Sequence, residues 1–138
     1  MIDAAKVFYD YLRSKDALTD QIATRLWAEL DTPPKDNYKP SHGAALVFRE
    51  STGGTEAADR IERTRWQMKI YGATVYVRRA AYLALRDVLV QENSYQRAGI
   101  RSIEVESVSG ELEEPETDWD FKLLFVTTRM KSALPAPV

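Results

Sequence analysis

The sequence predicts an α+β domain: a mostly antiparallel sheet with an N-terminal helix and a second long helix packed on one face. Two observations carry this prediction. Apolar residues recur every three or four positions near the N-terminus and over residues 74–91, which is the helical period. Over residues 44–49, 61–71 and 118–129 they alternate instead, which is typical of strands. The resulting order is helix, hairpin, helix, hairpin.

The first elements are a helix over residues 3–15 and a short helical turn over 16–22. The apolar stripe of the helix consists of Ala4, Val7, Phe8, Tyr11 and Leu12. Asp3 stands where an N-cap acceptor is useful. Leu26 and Trp27 favour a short extended piece, although residues 24–30 are ambiguous. Residues 31–43 hold three prolines and are predicted to be a loop or an extended arm.

A hairpin follows. Its first strand, residues 44–49, is expected to end in a loop over residues 51–59, because the pair Gly53 and Gly54 is typical of a hairpin tip. The return strand runs over residues 61–71. Its alternation predicts that Trp66, Met68 and Ile70 face the core and that Arg65, Gln67 and Lys69 point the other way.

The second half begins with a helix over residues 74–91, capped by Thr74, with Arg78 mostly off its apolar stripe. Ile103 and Val105 belong to a third strand, and Ser109-Gly110 is predicted to open a turn. The last strand places one apolar set in the core together with Trp66 and Ile70: Trp119, Phe121, Leu123 and Phe125. We therefore expect one domain over residues 1–131 and a flexible tail over 132–138.

Composition excludes several classes of chemistry. The chain has 138 residues and no cysteine, so disulfides, zinc–thiolate sites and thiol catalysis are ruled out. No apolar run approaches the ~18 residues that cross a bilayer, and residues 1–15 lack the pattern of a signal peptide. These features predict a soluble intracellular domain without a membrane partner.

No arrangement of residues predicts catalysis, a cofactor or a metal. His42 is the only histidine and stands in a loop, and no serine nucleophile motif or phosphate-binding glycine loop occurs. The carboxylates Glu104, Glu106, Asp118 and Asp120 would bind Mg²⁺ or Ca²⁺, or act as an acid–base pair, only if they clustered. Acidic residues on the solvated face of a half-buried sheet are the default pattern. The protein is therefore predicted not to be an enzyme.

The charges are unevenly distributed. Residues 60–79 carry six bases against the single acid Glu62, whereas residues 104–120 carry eight acids and no Lys or Arg. The acids are Glu104, Glu106, Glu111, Glu113, Glu114, Glu116, Asp118 and Asp120. Two readings stay open: two solvated faces, or one face that meets the other on a neighbouring copy of the chain. A nucleic-acid-binding accessory protein is a weaker alternative, because the sequence pI is about 5.5.

Several short sequence segments occur in an order that resembles the tail terminator (tail completion) proteins of long-tailed bacteriophages. The segments are Ala17-Leu18-Thr19, Thr24-Arg25-Leu26-Trp27, Ala45-Leu46-Val47-Phe48, the strand Arg65-Trp66-Gln67-Met68-Lys69-Ile70-Tyr71 running through Gly72-Ala73 into a helix, and Glu113-Glu114-Pro115-Glu116-Thr117-Asp118-Trp119. The resemblance spans about residues 2–130. The loop over residues 31–43 is longer and more charged than the family leads one to expect.

The resemblance implies a structural virion protein. Such proteins form a homohexameric ring at the head-proximal end of the tail, stop polymerisation of the tail tube and present a surface to the head. The implied partners are further copies of the chain, the major tail tube protein and a head–tail connector or neck protein. Genome DNA would pass through the ring without specific recognition. The virion would be assembled in the host cytoplasm. A neck or head-completion protein remains the alternative.

The two charged segments suggest how such a ring closes, because unlike faces suit a head-to-tail contact. The subunit chain is expected to be monomeric when dilute. The predicted interface residues are Arg60, Arg63, Arg65, Lys69, Glu111, Glu113 and Glu114. By analogy with the family, a loop of small residues is predicted to reach the tube or the ring lumen. It comprises Thr52, Gly53, Gly54, Thr55 and Glu56.

Overall fold

The computed structural model describes residues 3–56, 61–91, 94–96 and 98–131, and it confirms the α+β fold. The helices are α1 (Ala4–Arg13), α2 (Asp16–Ile22) and α3 (Val75–Arg86). The strands are β1 (Leu26–Ala28), β2 (Ala45–Glu56), β3 (Ile61–Tyr71), β4 (Ile100–Glu113) and β5 (Asp120–Lys131). A π-helical turn, Asp87–Gln91, continues α3, and 3₁₀ turns occupy Pro40–His42 and Ser94–Gln96.

The strands form one sheet in the order β1-β2-β3-β5-β4. All pairings are antiparallel except that of β1 with β2, in which Leu26 lies opposite Leu46. The helices cover one face, called here the helix face, and the opposite side is called the outer face. The main core lies under the helices and contains Phe8, Phe48 and Trp66 in mutual ring contact.

Helix α1 begins and packs as its sequence predicts. The Asp3 carboxylate accepts a hydrogen bond from the Lys6 amide at 3.1 Å, which satisfies one of the amides left free at a helix start. Phe8, Tyr11 and Leu12 are buried along one side. The Tyr11 hydroxyl donates to the Val88 carbonyl at 2.8 Å, so α1 is tied to the turn that follows α3.

Helix α3 follows β3 after a very short connection. A Cβ on Gly72 would lie 2.9 Å from Val77 Cγ1, so only glycine fits this close approach. The Thr74 hydroxyl accepts from the Val77 amide at 3.2 Å, which confirms the predicted cap. The prediction for Arg78 was wrong, because its side chain is buried. It donates to the Gly72 carbonyl and to Glu111, each at 2.6 Å.

The face assigned to β5 needs correction. Trp119, Phe121, Leu123 and Phe125 do share one side, but it is the outer face. The residues that β5 contributes to the main core are Leu124, Val126 and Met130. Phe121 is buried in a second cluster, whereas Leu123 and Phe125 are half-buried. A central strand is apolar on both faces, so alternation alone does not reveal which face the helices cover.

Both predicted glycine turns lie inside strands. Gly53 and Gly54 belong to β2, opposite Thr64 and Arg63, and the register shifts between Glu50 and Thr52, as at a β-bulge. Ser109 and Gly110 form one of three irregularities in β4, the one between Val108 and Glu111. The turn between β4 and β5 comes later. It is closed by the Glu114 amide donating to the Trp119 carbonyl at 2.7 Å, with Asp118 at φ 59°.

Residues 31–43, called here the strap, cross the outer face as the predicted irregular segment. Tyr38 is fully buried there, in edge-to-face contact with Trp27 and Trp119. Its hydroxyl donates to the Gly43 carbonyl at 2.7 Å. Tyr71 and Phe121 complete this second cluster from the sheet. The strap therefore gives the outer face a small core of its own. The predicted tail, residues 132–138, lies outside the described residues, and its flexibility stays a prediction.

Candidate assembly surfaces

The half of the outer face next to the strap is held by a charged network around Lys69. Its ammonium group lies 3.2 Å from Asp31 of the strap and 3.4 Å from Glu114 at the end of β4. It also lies 4.8 Å from the centre of the Phe121 ring. The Tyr71 hydroxyl donates to the same Glu114 carboxylate at 3.3 Å. Strap, sheet and β4–β5 turn thus meet at one buried cation.

The network perturbs its own titratable groups. Partial burial raises the pKa of Asp31, but the charges of Lys69 and Arg49 and the hydrogen bond from Gln67 outweigh it and hold that pKa below its usual range. Burial, and then the Glu114 carboxylate, raise the pKa of the Tyr71 phenol far above its ordinary value. Burial also raises the pKa of Tyr38 to about 12. Both phenols therefore stay neutral hydrogen-bond donors at neutral pH.

A second ion pair joins β3 to the bulged edge of β4. The Arg65 guanidinium donates to Glu106 at 2.8 Å and stacks 4.0 Å above the Phe125 ring. Desolvation raises the pKa of Glu106, but the hydrogen bonds to its carboxylate and the charge of Arg65 lower it by more. The pKa of Glu106 therefore lies below its ordinary value. Arg65 is thus committed to contacts within its own subunit.

The predicted interface residues separate into three groups. Arg65, Lys69, Glu111 and Glu114 form ion pairs inside the subunit, and Lys69 and Glu114 are buried. Arg63 and Glu113 are exposed, and neither forms an ion pair with another described residue. Arg60 lies outside the described residues. The acidic and basic segments therefore form several ion pairs with each other within one copy of the chain.

The residues predicted to reach a tube or lumen form the far end of β2 rather than a loop. Thr52 is exposed, and the backbone of Gly53, Gly54, Thr55 and Glu56 pairs with β3. Strand β1 pairs with β2 only at Leu46–Phe48, so the later part of β2 is an open sheet edge within the described structure. The expected loop is wrong, and the role of this segment stays a prediction.

Sequence reasoning missed the buried roles of Tyr38, Arg78 and Glu114. For Tyr38 a signal existed, because an aromatic residue in a proline-rich segment needs an apolar site to bury it. Arg78 and Glu114 gave no such signal, since each stands in a run of charges and its partner is remote in sequence. Both readings of the acidic segment, a solvated face or a contact with a neighbouring copy, left out its register against β5, which brings Glu111 and Glu114 back over their own domain.

No catalytic arrangement is visible in the part of the chain that the structure describes. His42 is exposed, and its Nδ1 accepts from the Lys39 amide at 3.2 Å. Among the same residues, no three His, Asp or Glu side chains are grouped so as to hold a metal ion. No helix in the described ranges is long and apolar enough to span a membrane.

A solved virion structure contains a chain with this fold. No protein-family model matches the sequence, and no curated protein does. A chain of the virion of a native gene transfer agent (GTA) particle superposes with a TM-score of 0.63. The protein shares its fold with that virion component. The match covers 95% of this chain and 100% of the other, with 15% sequence identity, so the likeness concerns the fold.

The extent of this likeness matters as much as its score. Because the gene transfer agent chain is covered completely, the sheet and its helices correspond to one whole component of that particle. The likeness likewise extends over 95% of the present chain.

Proposed function

We propose that the protein is a structural component of a phage-like virion, and specifically a tail terminator. The observation that carries this proposal is the fold shared over 95% of the chain with a gene transfer agent virion chain. The sequence segments that resemble tail terminator proteins support the more specific assignment to that role. The described residues are engaged in packing and ion pairs rather than in a reactive cleft, which suits a protein that acts by assembly.

In this role the protein forms a homohexameric ring at the head-proximal end of the tail tube. The ring stops polymerisation of the major tail tube protein and offers a docking surface to the connector or neck protein of the head. Genome DNA passes through the ring without sequence recognition. The activity needs shape complementarity at three surfaces, namely subunit to subunit, ring to tube and ring to head, and no covalent step.

The ring contact in this proposal includes Arg63 and Glu113. These are the members of the predicted interface that remain exposed in the described structure and have no ion-pair partner there. An exposed ion pair contributes only about 0–1 kcal/mol, so such charges select the register and the partner face. The free energy of association must come mainly from buried apolar surface.

The far end of the β2–β3 hairpin is proposed to reach the tube or the lumen. It contains Thr52 to Glu56, and the open edge of β2 offers backbone hydrogen-bonding groups to a partner strand. The tail tube subunit is the partner that this proposal assigns to it.

Tube polymerisation tests the proposal directly. Purified major tail tube protein is allowed to polymerise with and without the chain, and tube lengths are measured by electron microscopy. We expect shorter tubes with the chain at one end only. Tubes of unchanged length, or a chain that binds isolated connectors but not tube ends, would contradict the terminator role.

A further inference from the structure

The outward side of α3 carries exposed apolar and cationic side chains together. Tyr76 and Leu83 are 81% and 47% exposed and stand seven residues apart, on the same side of the helix. Arg79 and Arg86 are exposed beside them, with no ion-pair partner among the described residues. These four residues are called here the α3 stripe. Large apolar side chains in line on the solvent side of an amphipathic helix indicate a contact surface.

The cations of the α3 stripe lie towards the β4 edge of the sheet. Tyr82 stands three residues after Arg79 and four before Arg86, so the three side chains share one flank of the helix. On that flank the Lys122 ammonium group of β5 lies 4.9 Å from the centre of the Tyr82 ring. Strand β4 is the next strand after β5 and ends the sheet there.

At the opposite edge of the sheet, carboxylates surround an exposed leucine. Leu30 is 37% exposed, and the amide of its neighbour Glu29 donates to the Phe48 carbonyl of β2 at 2.7 Å. Partial burial, and then the charges of Glu50 and Asp3, raise the pKa of Glu29 above its ordinary value, so the three carboxylates lie close enough to repel one another. The leucine and these three acids are called here the acidic corner.

The acidic corner lacks a cation from its own subunit. Among the described residues, neither of its glutamates forms an ion pair. Lys6 and Arg49, which stand next to the corner in sequence, are engaged elsewhere. Lys6 lies 2.7 Å from Asp10, and Arg49 lies 3.2 Å from Asp31 on the outer face. The corner therefore differs from the acids of β4 that are paired with bases of the same subunit.

We propose that the α3 stripe of one copy of the chain docks on the acidic corner of a second copy. Leu83 packs on Leu30, and Arg79 and Arg86, about 10 Å apart along the helix, approach the carboxylates. Each surface then supplies the apolar contact and the opposite charge that the other lacks. Because the two surfaces lie towards opposite edges of the sheet, the contact is head-to-tail and can be repeated around a ring.

The acidic corner suits the α3 stripe better than other occupants do. Two α3 helices related by a two-fold axis through Leu83 would bring Arg79 of one copy beside Arg86 of the other, which is repulsive. A nucleic acid or an anionic membrane would meet only two cations separated by apolar side chains, and next to them the exposed carboxylate of Asp87. The head-to-tail contact instead places opposite charges together.

This inference rests on the proposed function only in requiring that the chain self-associates. Charge reversal tests it. The α3 variant is Arg79→Glu/Arg86→Glu, the corner variant is Glu29→Lys/Glu50→Lys, and the combined variant carries all four substitutions. A fourth variant, Leu83→Ser, leaves every charge in place and tests the apolar part of the contact.

The matched control is Arg13→Glu/Lys39→Glu, which changes the net charge as the α3 variant does. Both residues are exposed and belong to neither surface. Circular dichroism and urea unfolding establish that each variant is folded. Sedimentation velocity over a concentration series, up to about 1 mM, then gives the apparent dissociation constants at low ionic strength.

We expect the α3 variant, the corner variant and Leu83→Ser each to raise the apparent dissociation constant at least about tenfold. The control should leave it within about threefold of the wild-type value. In the combined variant the new glutamates of one copy meet the new lysines of the next, so association should return to within about threefold of wild type. A purely structural effect of the substitutions would not be reversed in this way.

Three results would overturn the proposed contact: charge-reversed variants that associate as the wild type does, a wild-type chain that stays monomeric throughout, or a combined variant as weak as its two parents. Association weakened by the α3 variant alone would indicate a different occupant and overturn it too. The tube assay separates the two proposals. Reversed variants that assemble normally while the wild type still shortens tubes would remove the contact and leave the terminator role. Wild-type assembly through this contact without shortened tubes would do the reverse.

Discussion

Lys69 Nζ lies 3.4 Å from Oε2 of Glu114, although the two residues are 45 positions apart and a whole strand, β5, separates β3 from β4. Both side chains are nearly buried, at 10% and 12% exposure. The turn after β4 therefore folds back across Phe121 to reach the cation on β3. Asp31 approaches the same cation from the strap, at 3.2 Å. One buried ammonium group thus fixes the two irregular segments of the outer face.

Removing that ammonium group should destabilise the fold. We expect Lys69→Met to lower the free energy of unfolding by about 3 kcal/mol, because Glu114 is left buried with only the Tyr71 hydroxyl as partner. Urea unfolding followed by circular dichroism measures the change. The matched control is Glu113→Ala at the neighbouring exposed position, which should change stability by less than about 0.5 kcal/mol. Equal effects of the two variants would contradict the central place given to Lys69.

The strap should depend on Tyr38. Tyr38→Ala is expected to cost about 3–5 kcal/mol, as truncation of a fully buried aromatic residue does. Tyr38→Phe keeps the ring contacts with Trp27 and Trp119 and loses only the hydrogen bond to Gly43, so it should cost about 1 kcal/mol. Thermal unfolding of both variants distinguishes packing from hydrogen bonding. An alanine variant as stable as the phenylalanine variant would mean that the strap contributes little to the fold.

The corrected faces of β5 can be tested with two adjacent leucines. Leu124→Ala should lower the free energy of unfolding by about 2–5 kcal/mol, because the side chain is fully buried under the helices. Leu123→Ala, on the half-buried outer face, should cost less than about 1.5 kcal/mol. Urea unfolding of both variants provides the comparison. The opposite order would restore the face predicted from the sequence.

Acid should weaken the ion pairs by which Asp31 ties the strap to the sheet. Its folded pKa lies below the ordinary value of 3.8, so its ion pairs contribute stability above about pH 4, and this is lost as pH falls through the folded pKa. The stability difference between wild type and Asp31→Asn should therefore be largest near neutral pH and shrink below pH 4. Unfolding free energies over that pH range measure it. Asp36→Asn, elsewhere in the strap, controls for the loss of one charge. A difference that grows with acid would contradict the assignment.

The elements could be predicted because each rests on local information. The period of three to four over α1, the Thr74 cap and the alternation of β3 are all visible in the sequence. The turns were misplaced because glycine suits a bulge as well as a hairpin tip, and only pairing with β3 or β5 distinguishes them. The faces of β5 depend on which side the helices cover, which no single strand reveals.

The candidate surfaces were harder to predict than the fold. A charge becomes available to a partner only if nothing in its own subunit neutralises it, and that depends on register across the sheet. Arg65 forms an ion pair with Glu106, which lies at a bulge in β4, and Arg78 forms one with Glu111 on the helix face. The exposure of Tyr76 and Leu83 on the outward side of α3 was not predicted, because the sequence assigned only the opposite side of that helix, to the core.

The location of the chain in assembled particles tests the central claim most directly. A chain that carries a gold-labelled epitope tag at one terminus is supplied during particle assembly, and purified particles are imaged by electron microscopy. The account predicts one cluster of label per particle, at the head-proximal end of the tail. Label spread over the capsid or along the tube, or particles that contain none of the chain, would contradict it.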